Sequence, residues 1–194
     1  MDRREALRRA AVLSGGTLSF SLVTSILSGC TAKPQLNWKP NFHTAEEADA
    51  ISIISDIILP ASESPSASDA NVPSFLDMIA QECMTTAEKS AWREGLRKLL
   101  DAFKEQKGVT LNIASASVQS EFIQEVDQQA FTSSSALSEY YRIFKNLILV
   151  GYFTSESVMK NHLDYHAIPG RYDGCVPHNG QPTYIDNNVE GRIV

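Results

Sequence analysis

The stretch LSEYYRIFKNLILVGY, residues 137–152, carries the strongest periodic signal in the chain. Its large apolar side chains, Leu137, Tyr140, Tyr141, Phe144, Leu147, Ile148 and Tyr152, recur at three- and four-residue intervals. That spacing lines one side of an α-helix, whereas a half-buried strand would alternate every second residue. The stretch therefore predicts a helix that buries one face, and its partners have to be sought on both sides of it.

Working back toward the N-terminus, Ser117–Phe131 carries a second stripe of Val118, Phe122, Ile123 and Val126. Before it, Thr85-Thr86-Ala87-Glu88 opens a helix with Trp92, Leu96, Leu99, Leu100 and Phe103 on its buried side and Gly108 at its end. Pro73, Phe75, Leu76, Met78 and Ile79 predict a shorter helix, preceded by a Ser/Ala-rich loop over 61–71. Thr44-Ala45-Glu46-Glu47 reads as a capping box, in which the Thr44 hydroxyl accepts the Glu47 amide and the Glu47 carboxylate reaches back. Ile51, Ile54, Ile57 and Ile58 follow at helical spacing until Pro60 stops the run. Working forward, Thr154 precedes a last short helix expected over Ser155–His166, and residues 171–194 have no period. No repeat and no run of alternating strands is present. The expected fold is mainly α: one small helical domain of about five or six helices with an irregular C-terminal tail, covering residues 44–194.

The N-terminus reads differently. Arg3-Arg4 and Arg8-Arg9 precede Ala10–Leu27, where ten of eighteen residues are apolar and the other eight are Ser, Thr or Gly, and Leu27-Ser28-Gly29-Cys30 closes the segment. A positive region, a soft apolar run and small residues before a cysteine are the parts of an export signal with a lipoprotein cleavage box. A transmembrane helix wants about 20 predominantly apolar residues, more than this run offers. Paired arginines ahead of a weakly apolar run resemble twin-arginine signals, although Asp2 precedes the pair and Glu5-Ala6-Leu7-Arg8 follows it where that pattern has Ser or Thr and Phe-Leu-Lys; the general secretory route stays open. The alternative for Cys30 is an ordinary buried cysteine. The expectation is a signal over residues 1–29, lipid attachment at Cys30, and a Pro-containing tether over residues 30–43. One acyl chain binds a membrane with only about 10⁴ M⁻¹, so the two or three chains of a lipoprotein are what would hold it stably.

Residues 1–29 hold four of the 17 basic and two of the 23 acidic residues, so cleavage after Gly29 would move the net charge from −6 to −8. Such a surface offers no footprint for nucleic acid and is repelled by anionic headgroups, leaving the lipid as the membrane contact. The remaining length suffices for one core, burying roughly 70% of the unfolded surface. An oxidising compartment would permit Cys83 and Cys175 to pair; a disulfide and two buried free thiols are both open. No Cys-x-x-Cys-His occurs, which argues against covalent haem.

His162 and His166 stand four residues apart in the expected last helix, the spacing for two imidazoles to share a metal, with Cys175 and His178 not far along the chain. No third ligand is evident, and the plainer reading is a polar helix end. The many serines lack a Gly-x-Ser-x-Gly elbow, and neither a Gly-x-Gly-x-x-Gly fingerprint nor a P-loop occurs. Asp49, Asp56 and Asp77 fall on helix faces and read as solvated. No catalytic constellation emerges. The aromatics Tyr152, Phe153, Tyr165, Tyr172 and Tyr184 can serve either as anchors for a partner or as part of the chain's own core.

Ile51–Pro60, Val72-Pro73 and Phe75-Leu76-Asp77 resemble the start of the small (third, or gamma) subunit of gluconate 2-dehydrogenase. Phe144-Lys145-Asn146-Leu147 through Gly151-Tyr152-Phe153-Thr154-Ser155 is similar to a later block of that family, and Tyr165, Pro169-Gly170 and Tyr172-Asp173-Gly174-Cys175 to its C-terminal part. The resemblance spans roughly residues 44–176. It implies a non-catalytic, accessory subunit with no cofactor of its own. Its partner would be a large FAD-dependent dehydrogenase of glucose-methanol-choline type acting on sugars, sugar acids or polyols, which can pass electrons to a cytochrome c subunit. It further implies that the twin-arginine signal of the small subunit carries the folded complex out, placing it in the bacterial envelope facing the periplasm. A lipid box on the small subunit departs from the family pattern and shifts the anchor onto this chain. The expected partner interface comprises Gly151, Tyr152, Phe153, Thr154 and Ser155 with the segment from Tyr165 through Pro169, Gly170 and Tyr172 to Cys175. The competing reading is a free-standing envelope lipoprotein that binds carbohydrate or scaffolds other proteins.

Overall fold

The structure, a computed structural model, describes residues 36–166 together with 175, 177, 179–180 and 184–186. Among these, six α-helices form the body: α1 (Ala45–Ile58), α2 (Val72–Met78), α3 (Thr86–Lys107), α4 (Ala116–Thr132), α5 (Ala136–Phe153) and α6 (Glu156–His162). The fold is mainly α, as the periodicity predicts. No helix among the described residues is long and apolar enough to cross a membrane.

The helix ends follow from local chemistry. Thr44 and Glu47 form the expected capping box, with Thr44 N–H donating to Glu47 Oε2 at 2.8 Å and Glu47 N–H to Thr44 Oγ1 at 3.2 Å. Thr85 and Glu88 repeat the device at the start of α3, where the carboxylate also takes the Thr85 amide at 2.8 Å. Each box satisfies amides that have no partner inside the helix. α1 stops at Ile58, two residues before Pro60, and α3 stops at the left-handed Gly108. α2 runs beyond its expected end through a π-turn, Ile79–Cys83, before α3 begins.

α5 is the central element, packing against α2, α3, α4 and α6. Its stripe behaves as predicted: Tyr140, Tyr141, Phe144, Ile148 and Tyr152 are buried, with Leu137 and Leu147 packed at the margin. Two glycines set how closely it is approached. A Cβ on Gly95 of α3 would run into the Tyr140 ring, and one on Gly151 would lie 2.6 Å from Cδ1 of Phe75 in α2. The absence of a side chain at each lets a neighbouring aromatic ring occupy the space a Cβ would take, close to the helix backbone.

Two parts depart from expectation. The last helix ends at His162 and not at His166, because Asp164–His166 becomes a strand (β1) paired in parallel with Tyr184–Asp186 (β2), in the register Asp164↔Tyr184, Tyr165↔Ile185 and His166↔Asp186. That pairing supplies backbone partners which another helical turn would otherwise have to provide, so part of the tail is regular. The folded unit also reaches back into the expected tether: Phe42 and His43 are buried.

Gly95→Ala tests the close approach. Alanine raises helix propensity by about 1 kcal/mol, but overpacking against a core ring costs about 1–3 kcal/mol. The expected result in urea unfolding is a net loss of stability, with the midpoint lowered and the slope unchanged.

Candidate functional site

The sequence places Asp77 on the same side of α2 as Pro73 and Ala80, four residues before it and three after, and all three are buried. A carboxylate cannot be left bare there, because an unpaired buried charge is heavily penalised. Its partners come from the segment just ahead of α1. Oδ2 accepts the Asn41 amide at 2.8 Å, Oδ1 accepts the His43 amide at 2.9 Å, and the Phe42 amide points between them at 3.1 and 3.3 Å. Oδ1 also meets His43 Nδ1 at 2.9 Å. Burial pushes the Asp77 carboxyl up, yet the amides of Asn41 and His43, the His43 ring and the Phe42 amide together hold it below the usual carboxylate range.

The other face of the His43 ring is closed by α3. Trp92 Nε1 donates to His43 Nε2 at 2.8 Å. An indole N–H can only donate, so Nε2 is bare and the proton sits on Nδ1, facing Asp77. The imidazole is thereby fixed neutral. Burial, the largest influence, pulls its pKa below 6.5 against the hydrogen bond and charge of Asp77 and the charge of Glu47, and Arg93 adds to the lowering. Arg93 completes the clamp: Nη2 donates to the Phe42 carbonyl at 2.9 Å and its guanidinium lies 4.3 Å over the Phe42 ring.

An Asp–His pair suggests a charge relay, but this one lacks the third member. The position a nucleophile hydroxyl would occupy is taken by Trp92, and Asp77, His43 and Trp92 are 2, 5 and 3% exposed. In this geometry Nε2 cannot take a proton from a substrate. The arrangement joins three segments and holds them.

The residues singled out from sequence distribute as follows. Gly151 is buried under Phe75, and Tyr152 is buried with its hydroxyl donating to the Pro65 carbonyl at 2.8 Å and lying 3.0 Å from the Ser64 hydroxyl, from which it can accept, so both serve the core and the 61–71 loop. Phe153, 43% exposed, and Thr154 face solvent, and Ser155 caps α6. Tyr165 lies half-buried in β1; Pro169, Gly170 and Tyr172 fall outside the described residues, as do Arg3, Arg4, Cys30 and His178. Cys83 and Cys175 are free and exposed, so the structure shows neither a disulfide nor buried thiols. His162 and His166 no longer share a helix, and His166 Nε2 lies 3.0 Å from Asp164 Oδ1. No group of three or more His, Cys, Asp or Glu among the described residues is placed to hold a metal. Of the three aspartates read as solvated, Asp77 is buried, while Asp56 and Asp49 are half-buried, Asp56 accepting the Ser68 amide at 2.8 Å and Asp49 accepting Asn112 Nδ2 at 2.5 Å. The wheel position of Asp77 between Pro73 and Ala80 was the sequence signal for its burial.

Asp77→Ala would strand three backbone amides and the His43 ring proton. The expected loss is about 3–5 kcal/mol in denaturant unfolding at neutral pH, in line with breaking a buried charged network. Because the folded-state pKa of Asp77 lies below its ordinary value of 3.8, its contribution is present above that pH and disappears as pH falls through the lowered value. Asp77→Asn should therefore flatten the acid limb of the stability profile below about pH 4.

Comparison with known proteins gives one family model, described as gluconate 2-dehydrogenase subunit 3, which matches residues 45–170. Neither the curated proteins nor the solved structures yield a match. The matched span runs from the first residue of α1 past α6 and β1, and so contains Asp77, Trp92 and the whole of α5. It covers well over half of the chain, and the chain belongs to the gluconate 2-dehydrogenase subunit 3 family.

Proposed function

We propose that this chain is the non-catalytic small subunit of an envelope dehydrogenase. It accompanies a large FAD-bearing subunit of glucose-methanol-choline type, acting on a sugar, sugar acid or polyol, through export, and holds it at the membrane by lipid on Cys30. The family match over residues 45–170 carries this reading. The blocked Asp77–His43 pair is consistent with it, since the one charge-relay-like arrangement in the helical body is closed to substrate. Arg3-Arg4 and Cys30 supply the export and anchoring parts of the proposal from sequence. Anchoring one partner raises its effective concentration at the membrane without any new contact, which suits delivery of electrons to a membrane-bound acceptor such as a cytochrome c subunit.

The surface offered to the large subunit is the solvent side of α5. Ile143, Asn146, Val150 and Phe153 follow at three- and four-residue spacing, with Ile143 52% and Phe153 43% exposed. Thr154 continues this side beyond the helix end. Apolar side chains standing in water on a helix that otherwise buries every large ring are candidates for interface anchors.

A tagged full-length chain expressed with its neighbouring genes should co-purify with a flavoprotein from the membrane fraction, and Cys30→Ala should release both into the soluble fraction. Paired Ile143→Asp and Phe153→Asp substitutions should weaken the complex by about tenfold or more, roughly 1.4 kcal/mol, with the melting temperature unchanged. A chain that purifies without a flavoprotein and binds sugars by itself would establish the free-standing lipoprotein instead.

A further inference from the structure

His43 is held between two groups with opposite demands. On one side the Asp77 carboxylate can only accept; on the other the Trp92 indole N–H can only donate. The neutral ring with its proton on Nδ1 satisfies both. A second proton, on Nε2, would set two N–H groups facing each other at 2.8 Å in a site from which water is excluded.

One side has to give way, and packing decides which. Trp92 is anchored within α3 and packs against the stacked rings of Tyr140 and Phe144, 5.5 and 5.6 Å away. His43 stands outside any helix, on the segment ahead of the Thr44 cap. The charged groups around the ring come from three helices: Asp77 from α2, Glu47 from the first turn of α1 and Arg93 from α3. Tyr140 of α5 backs Trp92 as a neutral phenol, its pKa raised by burial and secondarily by Glu47.

We propose that His43 is a proton-operated catch: neutral, it locks residues 41–43 onto α2 and α3, and protonated on Nε2 it swings off Trp92 and frees the chain leading back to residue 36. As the ring leaves, water enters and takes over the hydrogen bonds that the three amides gave Asp77, and the Phe42 carbonyl parts from Arg93. Mild acid thereby changes how the N-terminal lead-in is attached while the helices stay folded. The mechanism is independent of the partner and of lipidation. Its pH window follows from the sign of the shift. With the folded-state pKa below 6.5, the catch is fully closed above that pH and opens as pH falls from there through the lowered value. The amides of Asn41, Phe42 and His43 and the His43 ring hold the Asp77 carboxyl below its ordinary 3.8.

Nitrogen NMR of the four histidine rings in the full 194-residue chain tests this directly. One ring should be the neutral tautomer with its proton on Nδ1 at neutral pH and should titrate below 6.5. Hydrogen exchange at the Asn41, Phe42 and His43 amides should accelerate over the same interval. Emission from Trp92 should shift with it when the other tryptophan is removed by Trp38→Phe. Trp92→Phe takes away the opposing donor, so the His43 proton affinity should rise by about tenfold or more, which a purely packing role for Trp92 would not produce. His43→Gln should abolish the transition below pH 6.5. If Trp92→Phe does not fold, the unsubstituted chain still decides: a proton on Nε2 at neutral pH, or amides equally protected after His43 has titrated, overturns the proposal.

Discussion

Everything in this fold depends on a carboxylate that cannot reach water. Asp77 sits on the buried side of α2, and three successive amides, from Asn41, Phe42 and His43, converge on it across 34 to 36 residues of chain. A buried charge tolerates no vacancy among its donors, because each missing hydrogen bond leaves part of the desolvation penalty standing. Satisfying Asp77 therefore fixes the path of the chain into α1. It also places the His43 ring where Trp92 can meet it, and so couples α3 to both. α5 then packs its Tyr140 and Phe144 rings against the indole whose position that hydrogen bond has set.

The apolar half of the structure has a different logic. α5 touches four other helices, and at two places a glycine is what permits the contact, Gly95 beneath Tyr140 and Gly151 beneath Phe75. Helix–helix spacing here is set by rings lying on bare backbone, which leaves little freedom to repack. Rigidity on that side contrasts with the outer side of the same helix, where Ile143 and Phe153 stand in water. One helix thus presents a closed face to its own chain and leaves Ile143 and Phe153 open to solvent.

What could be read in the sequence was what is determined locally. The capping box at Thr44, the helix start at Thr85, the stop before Pro60, the helix end at Gly108 and the stripe on α5 each depend on residues within one or two helical turns, and each is present. The misreadings are all long-range. The wheel position of Asp77 hints at burial, but what makes a buried carboxylate tolerable there appears only when the amides 34 residues earlier are placed against it. His162 and His166 share a face only if the helix continues, and the strand partner that ends it lies near Tyr184. Pairing of Cys83 with Cys175 is a statement about distance, which composition and compartment cannot supply. The candidate site was hardest to see because its meaning lies in a single occupant. An Asp–His pair reads as catalytic or structural according to what faces Nε2, and Trp92 is 49 residues from His43.

That location bears on how a tethered subunit would carry load. If Cys30 holds the anchor, any pull between membrane and cargo passes through the lead-in and arrives first at residues 41–43. Without the clamp the force would act on the first turn of α1 and peel it one hydrogen bond at a time, each worth only about 1 kcal/mol. With it, the Asp77 amide contacts, the His43 ring contacts and the Arg93 contact to Phe42 lie in parallel between the lead-in and two helices, so they must fail together. A cluster of polar bonds buried at the entrance to the bundle is therefore placed where an anchored chain would need its strongest joint, with His43 at its centre between Asp77 and Trp92.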